Sequence, residues 1–424
     1  MKKNRRPFAP LVYLRNAMHP DPRGHGLFSW IMITYYFGSA ATSFVAAYLA
    51  ERGLSGTQVG TAMAVINLFG ILSAPVCGSI SDRIRSPRRV MMACLAAASV
   101  VYLCVGLFGT VAVAGMPLFL VLLPLWSVFK TPLSSLLDSF TVQAVNRRRT
   151  FTYGSVRCLG SLSFSVMSLI FGQLIGFFGS NRCVFFLYGA LNVVAFAFLH
   201  AARGEDLPRE KEERGVRVKQ AGGVKMALSS FYFRFFLITY LLVCVPVQCL
   251  TTFLPYKLTA VTGSTAAFGT LIALKAFMEI PSLLLGGRII ERFGVRRMLT
   301  IAMLVFTLEQ TLYLCADSLV LVMIALLLHG ATYGMFLSCA ISYIYIVTPH
   351  EANASAQTVA CALASGATIL GSLAGGVLVD VFGANGYYGF TLCLEILAIV
   401  LFLISVPIGR RRGHGLPGVQ EAAR

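Results

Sequence analysis

One arginine stands alone in a long apolar part of the sequence. Residues 150–181, which include the stretch YGSVRCLGSLSFS, carry a single charged side chain, Arg157. Such a charge at the centre of a bilayer costs about 2.5 to 3.5 kcal/mol, so it is expected to face a partner or a polar ligand. Asp138, near the end of the preceding apolar run, is the nearest acid in sequence. The two residues could bind the polar group of a small solute, or they could form a structural ion pair.

A second pair of charges lies in the stretch LKAFMEIPS. Lys275 and Glu279 are four residues apart, which places them on one face of a helix and within reach of each other. A protein that couples the movement of a solute to that of a proton needs an intramembrane carboxylate. A proton can neutralise this carboxylate, or a nearby cation can hold it charged. We therefore predict that Glu279 takes the coupling proton beside Lys275. The alternative is an intrahelical pair that the membrane merely tolerates.

Other polar and aromatic side chains in the apolar runs could line a solute cavity by stacking and hydrogen bonding. Together with Asp138 and Arg157, the predicted substrate-binding residues are Lys130, His329, Tyr35, Asn67, Trp126, Gln248 and Tyr333. For each aromatic or amide side chain taken alone, ordinary helix packing is the competing interpretation. Glu309 and Glu395 are expected to bond to neighbouring helices rather than to solute.

The elements that position these residues must be membrane-spanning helices. The chain is 57% hydrophobic and 12% charged, whereas soluble domains are about 25% charged. Its apolar runs are continuous and about twenty residues long, which predicts an all-α membrane protein. The 11 cysteines never form C-x-x-C and lie mostly in apolar runs, so we interpret them as packing residues and expect no metal site.

The apolar windows and their breaks predict twelve transmembrane helices in two six-helix bundles. The predicted spans are 27–50, 57–81, 90–111, 115–141, 150–177, 183–202, 229–258, 264–288, 297–316, 318–347, 353–380 and 386–408. The corresponding division is a cytoplasmic N-terminal segment 1–26, a first bundle 27–202, a charged cytoplasmic linker 203–227, a second bundle 228–408 and a cytoplasmic tail 409–424.

The positive charges predict how the chain is oriented. Of the 35 Lys and Arg residues, 28 fall in the leader, the tail and every second loop. Because Lys and Arg accumulate in short cytoplasmic loops, both termini are expected in the cytoplasm. The net charge of +18 is thereby explained as a topology signal, and no nucleic-acid partner is expected. The expected partners are the lipid bilayer and a small molecule, and we expect a monomer.

A repeat relates the two halves of the chain. GSISDRIRSPRRVM (residues 78–91) and GGRIIERFGVRRML (residues 286–299) each follow the second span of their half. Such parallel repeats are typical of transporters whose two bundles rock about a central site. The predicted gating residues are Gly78, Asp82, Arg83, Arg88, Arg89, Glu291, Arg292 and Arg296. Their charges could form a latch that breaks when the cytoplasmic face opens, or they could only enforce topology.

These loops resemble the cytoplasmic motif of the major facilitator superfamily. Gly294 matches that family's turn glycine, whereas Ser86 and Pro87 stand there in the first copy. The stretch YGSVRCLGS resembles the fifth span of the branch that contains phenylpropionate permease, lactose permease and nucleoside–proton symporters. The resemblance implies the major facilitator fold and assigns substrate binding to Asp138 and Arg157. His329 aligns with the span-10 histidine of lactose permease, but Thr332 stands where that protein has an acid.

The resemblance and the charges together predict a proton-coupled symporter of a small organic solute, an aromatic acid such as phenylpropionate or a sugar or nucleoside. The expected location is a bacterial-type cytoplasmic membrane. Proton-antiport efflux of amphiphilic compounds uses the same fold and stays an alternative, and a non-transporting sensor or enzyme is a distant one. No P-loop, H-E-x-x-H, G-x-S-x-G or G-x-G-x-x-G appears in a suitable context, so we expect neither an enzyme nor a cofactor beyond the coupling proton.

Overall fold

The computed structural model describes residues 25–84, 86–113, 115–148, 153–202, 220–263 and 267–411. Most of the predicted N-terminal segment (1–24), most of the linker (203–219) and the tail from residue 412 lie outside the described residues.

Helices make up nearly all of the first half. They are α1 His25–Ser39, α2 Val45–Glu51, α3 Gly56–Ile84, α4 Pro87–Phe108, α5 Phe119–Arg148, α6 Tyr153–Phe178 and α7 Arg182–Ala201. A 3₁₀ turn, Ala40–Phe44, joins α1 to α2, so these two together form the first predicted span. Two short antiparallel strands, β1 Ala112–Val113 and β2 Met116–Pro117, form the hairpin between α4 and α5.

The second half is helical in the same way. Its helices are α8 Gln220–Ser229, α9 Phe231–Thr262, α10 Phe268–Phe293, α11 Val295–Cys315, α12 Leu319–Val347 and α13 Asn353–Arg411. The last two predicted spans are two helices that meet at a kink within α13, at Gly383, whose backbone is non-helical at φ 70° and ψ −176°. Glycine meets no Cβ penalty at this positive φ.

The predicted fold class, an all-α major facilitator fold, is confirmed, and each predicted span overlaps a helix of the described residues. Within the described residues, nine helical segments are long and apolar enough to cross a membrane, and the last of them covers two predicted spans. The divided first span and α10 are not among the nine. Many large apolar side chains are exposed, including Phe177 at 83% and Leu72 at 62%, as a lipid-facing surface requires.

The chain forms two compact units. The first contains residues 1–42, 69–171 and 182–208, and the second contains residues 43–68, 172–181 and 209–424. The core of the first includes Phe28, Met32 and Phe140. The core of the second includes Phe236, Phe306 and Phe336.

Within the second unit, the start of α3 packs backbone to backbone on α13. A Cβ at Gly60 would collide with the carbonyl oxygen of Ser372 and lie 3.0 Å from the Cα of Gly376. Asp380 also joins α13 to α3, because its carboxylate accepts hydrogen bonds from the amides of Gly56 at 2.6 Å and Thr57 at 2.8 Å. We call this contact between the start of α3 and α13 the seam. A carboxylate at this position satisfies amides that the helix itself leaves without partners.

The repeated loops have different local structures. In the first copy, the Ser86 hydroxyl accepts from the amide of Arg89 and caps α4, with Pro87 in the first turn. In the second copy, Gly294 has a φ of 85° and joins α10 to α11. A serine cap and a left-handed glycine therefore occupy equivalent places.

Candidate functional site

Arg157 lies against an aromatic ring in the first unit. Its guanidinium is 4.5 Å from the centre of the Tyr36 ring, and its Nη1 donates to the Ser161 hydroxyl at 3.4 Å. Gly160, on the same helix, leaves the space that this ring needs, because a Cβ there would lie 2.6 Å from Tyr36. A cation over a ring face is stabilised without losing its charge. Arg157 thus keeps a charge that a solute could bind.

Asp138 belongs to the same neighbourhood. It lies within electrostatic range of Tyr35 and Tyr36, as does Arg157. Its Oδ1 is buried and has no hydrogen-bond partner among the described residues. The predicted pair of an acid on α5 and an arginine on α6 therefore converges on the two tyrosines of α1. Their rings meet edge to face at 5.1 Å.

Lys130 and Trp126 form a second polar and aromatic group in the first unit. The Lys130 ammonium lies 5.9 Å from the centre of the Trp126 ring. Trp126 stacks on Tyr102 at 4.6 Å and donates its indole N–H to the Tyr188 hydroxyl at 3.4 Å. Tyr188 is also within electrostatic range of Tyr35, so the two groups are neighbours.

In the second unit, Lys275 and Glu279 make the contact that their spacing predicts. The Lys275 ammonium lies 3.3 Å from Oε1 of Glu279, and each side chain keeps 19% of its surface exposed. The Lys275 ammonium also lies 5.7 Å from the centre of the Tyr333 ring on α12. Gly330 allows this approach, because a Cβ there would meet the carbonyl oxygen of Lys275. The pair is thus fixed between its own helix and α12.

His329 is buried rather than exposed to a cavity. It is 1% exposed, and its Nδ1 lies 3.0 Å from Oε1 and 3.1 Å from Oε2 of Glu309. Its ring also stacks on Tyr333 at 5.7 Å with an interplanar angle of 11°. Tyr333 therefore connects His329 with Lys275.

Two further predicted residues lie apart from these groups. The Asn67 amide donates to the carbonyl of Met63 in its own helix at 2.8 Å, and Gln248 is half-buried on α9. Of the motif residues, Arg88 is buried and donates to the carbonyl of Leu199 at 3.2 Å. Asp82 and Glu291 are exposed.

Sequence reasoning missed several participants. Ser161 follows Arg157 by one helical turn, so its spacing could have identified it as a partner. Glu309, expected to bond to a neighbouring helix, has His329 as that partner, which nothing in the spacing of the two residues indicates. Asp380 was missed because its two partners lie more than 300 positions away in sequence.

A comparison with protein families decides the relationship. The model of the MFS_1-like family, a branch of the major facilitator superfamily, matches residues 28–390. The chain belongs to the MFS_1-like family. It is therefore an integral membrane transporter and not an enzyme.

Individual relatives of this MFS_1-like chain are distant in sequence. An uncharacterized transporter of Bacillus subtilis, YwbF, is 24% identical over 361 residues, which cover 82% of this chain and 86% of the relative. The maltose permease of Geobacillus stearothermophilus is 26% identical over 385 residues, covering 89% and 93%. A crystal structure of the nucleoside transporter NupG superposes with a TM-score of 0.74 at 13% identity, covering 90% of this chain and 98% of that structure. This last likeness shows the shared fold.

Proposed function

We propose that this protein is a secondary active symporter that moves a small organic solute together with a proton by alternating access. The observation that supports this most directly is the Arg157 guanidinium held over Tyr36 beside Asp138. A cation that lies over a ring face keeps its charge and can bind an anionic or hydroxyl-bearing ligand.

The side chains around Arg157 favour a solute that carries both a ring and a polar or anionic group. Tyr36 offers a ring and Lys130 and Arg157 offer positive charge, and all three side chains are half-buried, whereas Tyr35 and Trp126 are buried. An aromatic acid, a sugar and a nucleoside all combine these features. The names of the maltose permease and the nucleoside transporter support small polar ring compounds as the class.

The proton is assigned to Glu279. Its side chain keeps 19% of its surface exposed, and its Oε1 lies 3.3 Å from the Lys275 ammonium, which attracts the carboxylate when it is ionised. Protonation removes the attraction between the two side chains and frees Lys275 for another partner. Proton and solute binding can thus be linked through one broken ion pair.

Transport into proteoliposomes tests this function. The purified full chain is reconstituted and given an inward proton gradient with radiolabelled 3-phenylpropionate, maltose or uridine outside. Accumulation that a protonophore abolishes supports symport. Expulsion of preloaded solute by the same gradient would instead indicate proton antiport. Accumulation that continues in the presence of the protonophore would contradict proton coupling.

A further inference from the structure

A cluster of three ionisable side chains lies inside the second unit. Glu309 on α11, His329 on α12 and Glu395 on α13 are 0%, 1% and 0% exposed. His329 contacts both oxygens of Glu309, and Glu395 lies within electrostatic range of Glu309. We call these three residues the buried triad. The transport mechanism proposed above makes no use of it.

Several polar atoms of the buried triad have no hydrogen-bond partner among the described residues. Neither carboxylate oxygen of Glu395 has a hydrogen-bond partner in the described part of the chain, and neither has Nε2 of His329. No lysine or arginine in the described ranges forms an ion pair with Glu309 or Glu395. The other titratable groups that face the triad are Tyr313 on α11, Tyr333 on α12, Cys244 on α9, and Tyr387 and Tyr388 on α13. Phenols and thiols supply no positive charge.

Elementary electrostatics then limits the charge of the buried triad. Two ionised carboxylates close together in a region without water repel each other and lose their hydration. One imidazolium can neutralise one of them. The remaining carboxyl group must carry a proton to be neutral, and Glu395 is the one without an ionic or hydrogen-bonding partner among the described residues.

A metal ion is an alternative way to neutralise such a cluster. The described residues contain no group of three or more His, Cys, Asp or Glu side chains arranged to hold one. The geometry therefore favours protons over a cation.

We propose that Glu309, His329 and Glu395 form an internal proton-binding site, in which Glu395 holds one proton and the His329–Glu309 pair shares another. This assignment rests on the proposed symport, since it places a proton store behind Glu279. Tyr333 contacts both the buried triad and the Lys275–Glu279 pair, because its ring stacks on His329 at 5.7 Å and lies 5.7 Å from the Lys275 ammonium. The His329–Glu309 pair can take up a proton that leaves Glu279 only after it has released its own, and Glu279 is then ionised and paired with Lys275.

Infrared spectroscopy of the purified full chain in nanodiscs tests the site without any solute. A protonated carboxyl group has a C=O stretch that an ionised one lacks, and a buried one keeps it at neutral and mildly alkaline pH. We expect wild-type protein to show this band and Glu395→Gln to lose it. Glu351→Gln removes an exposed acid and is the matched control, which should keep the band. A band of unchanged intensity in Glu395→Gln overturns the proposal.

A second variant keeps the test independent of how well Glu395→Gln folds. Glu309→Gln removes the charge that Glu395 faces, so the Glu395 band should shift in frequency while keeping its intensity. An unshifted band would show that the two carboxyl groups do not interact, and would overturn the shared site.

Transport by the same variants separates this inference from the proposed function. If Glu395→Gln and Glu309→Gln accumulate solute as well as wild type while Glu279→Gln does not, the site plays no part in coupling and the inference fails alone. If wild type accumulates no tested solute but the band is lost in Glu395→Gln, the proton site stands and only the symport is refuted.

Discussion

At the scale of single residues, each of three membrane-embedded cations lies over an aromatic ring. Arg157 lies over Tyr36, Lys130 over Trp126 and Lys275 over Tyr333, at 4.5, 5.9 and 5.7 Å. A ring face attracts a cation without neutralising it, whereas a carboxylate neutralises it. Lys275 is also paired with Glu279 at 3.3 Å, so its charge becomes available to another partner only when that carboxylate takes up a proton.

Replacing Arg157 should weaken solute binding more than it weakens the fold. Arg157→Ala removes the charge over Tyr36, and we expect the Kd of the transported solute to rise at least tenfold, about 1.4 kcal/mol. Ligand-induced thermal shift of the purified protein measures this. Arg52→Ala is the matched control, because Arg52 also lies over a tyrosine, Tyr48, at 4.9 Å. Equal loss of binding in both variants would refute a direct role for Arg157.

Neutralising Glu279 should uncouple the proton from the solute. Glu279→Gln keeps the shape of the side chain but cannot ionise, so we expect concentrative uptake to be abolished while exchange of solute across the membrane continues. Counterflow and gradient-driven uptake in proteoliposomes distinguish the two. Undiminished accumulation by this variant would show that the coupling proton binds elsewhere.

Local spacing predicted some contacts of the candidate site and could not predict others. The Lys275–Glu279 contact follows from the 3.6-residue period of a helix, so four residues of sequence contain the information. Tyr36 under Arg157 and Glu309 beside His329 come from other helices. Their meeting depends on how helices rotate and pack, which no single stretch of sequence encodes.

At the scale of the elements, the junction of α3 with α13 is made of backbone and one carboxylate. Gly60 and Gly376 remove the side chains that would keep the helices apart, and Asp380 binds the first amides of α3. Small residues allow such close approach between membrane helices. Gly366, also on α13, takes no part in it, because nothing lies within 4 Å of the position that a Cβ would occupy there.

Removing the Asp380 carboxylate should loosen the start of α3. A lost helix cap costs about 0.5 to 2 kcal/mol, so we expect Asp380→Ala to speed hydrogen exchange of the Gly56 and Thr57 amides roughly threefold or more. Exchange detected by mass spectrometry measures this. Asp317→Ala, which removes an exposed acid, is the control. Protection that survives Asp380→Ala would mean that the cap adds nothing to the seam.

Adding one methyl group at the seam should destabilise the protein. The Cβ of Gly60→Ala has no room beside Ser372, and overpacking costs about 1 to 3 kcal/mol. We expect a lower midpoint of thermal unfolding in detergent. Gly366→Ala faces open space and should leave the midpoint unchanged or raise it, because alanine favours helix. Identical midpoints for the two variants would contradict the close approach.

At the scale of the whole molecule, the sequence predicted the helical fold and the order of the spans. Apolar length identifies most of the spans, because a bilayer requires about twenty apolar residues per helix. The divided first span and α10 are not among the segments of the described chain that meet that criterion. The break of the first span at Ala40–Phe44 was not predicted, since it depends on backbone angles rather than on hydropathy. The kink at Gly383 falls in the gap predicted between the last two spans, residues 381–385. The grouping of residues 43–68 with the second unit arises from packing such as that of Gly60 on α13.

The distribution of Lys and Arg predicts that both termini are cytoplasmic, and reporter fusions test this. A green fluorescent protein fused after Arg424 should fluoresce, because it folds only in the cytoplasm. Alkaline phosphatase fused to chains truncated after Gly53 should be active, because that loop is predicted outside. The opposite pattern of the two reporters would invert the topology.

Gly383 joins the two arms of α13 with no loop to absorb movement. The arm before Gly383 carries Gly376 and Asp380, which contact α3, and the arm after it carries the buried carboxyl group of Glu395. Because a single residue joins the arms, a displacement of one arm at Gly383 moves the adjoining end of the other. We expect a short flexible insertion after Gly383 to preserve both contacts but to end any dependence of one on the other.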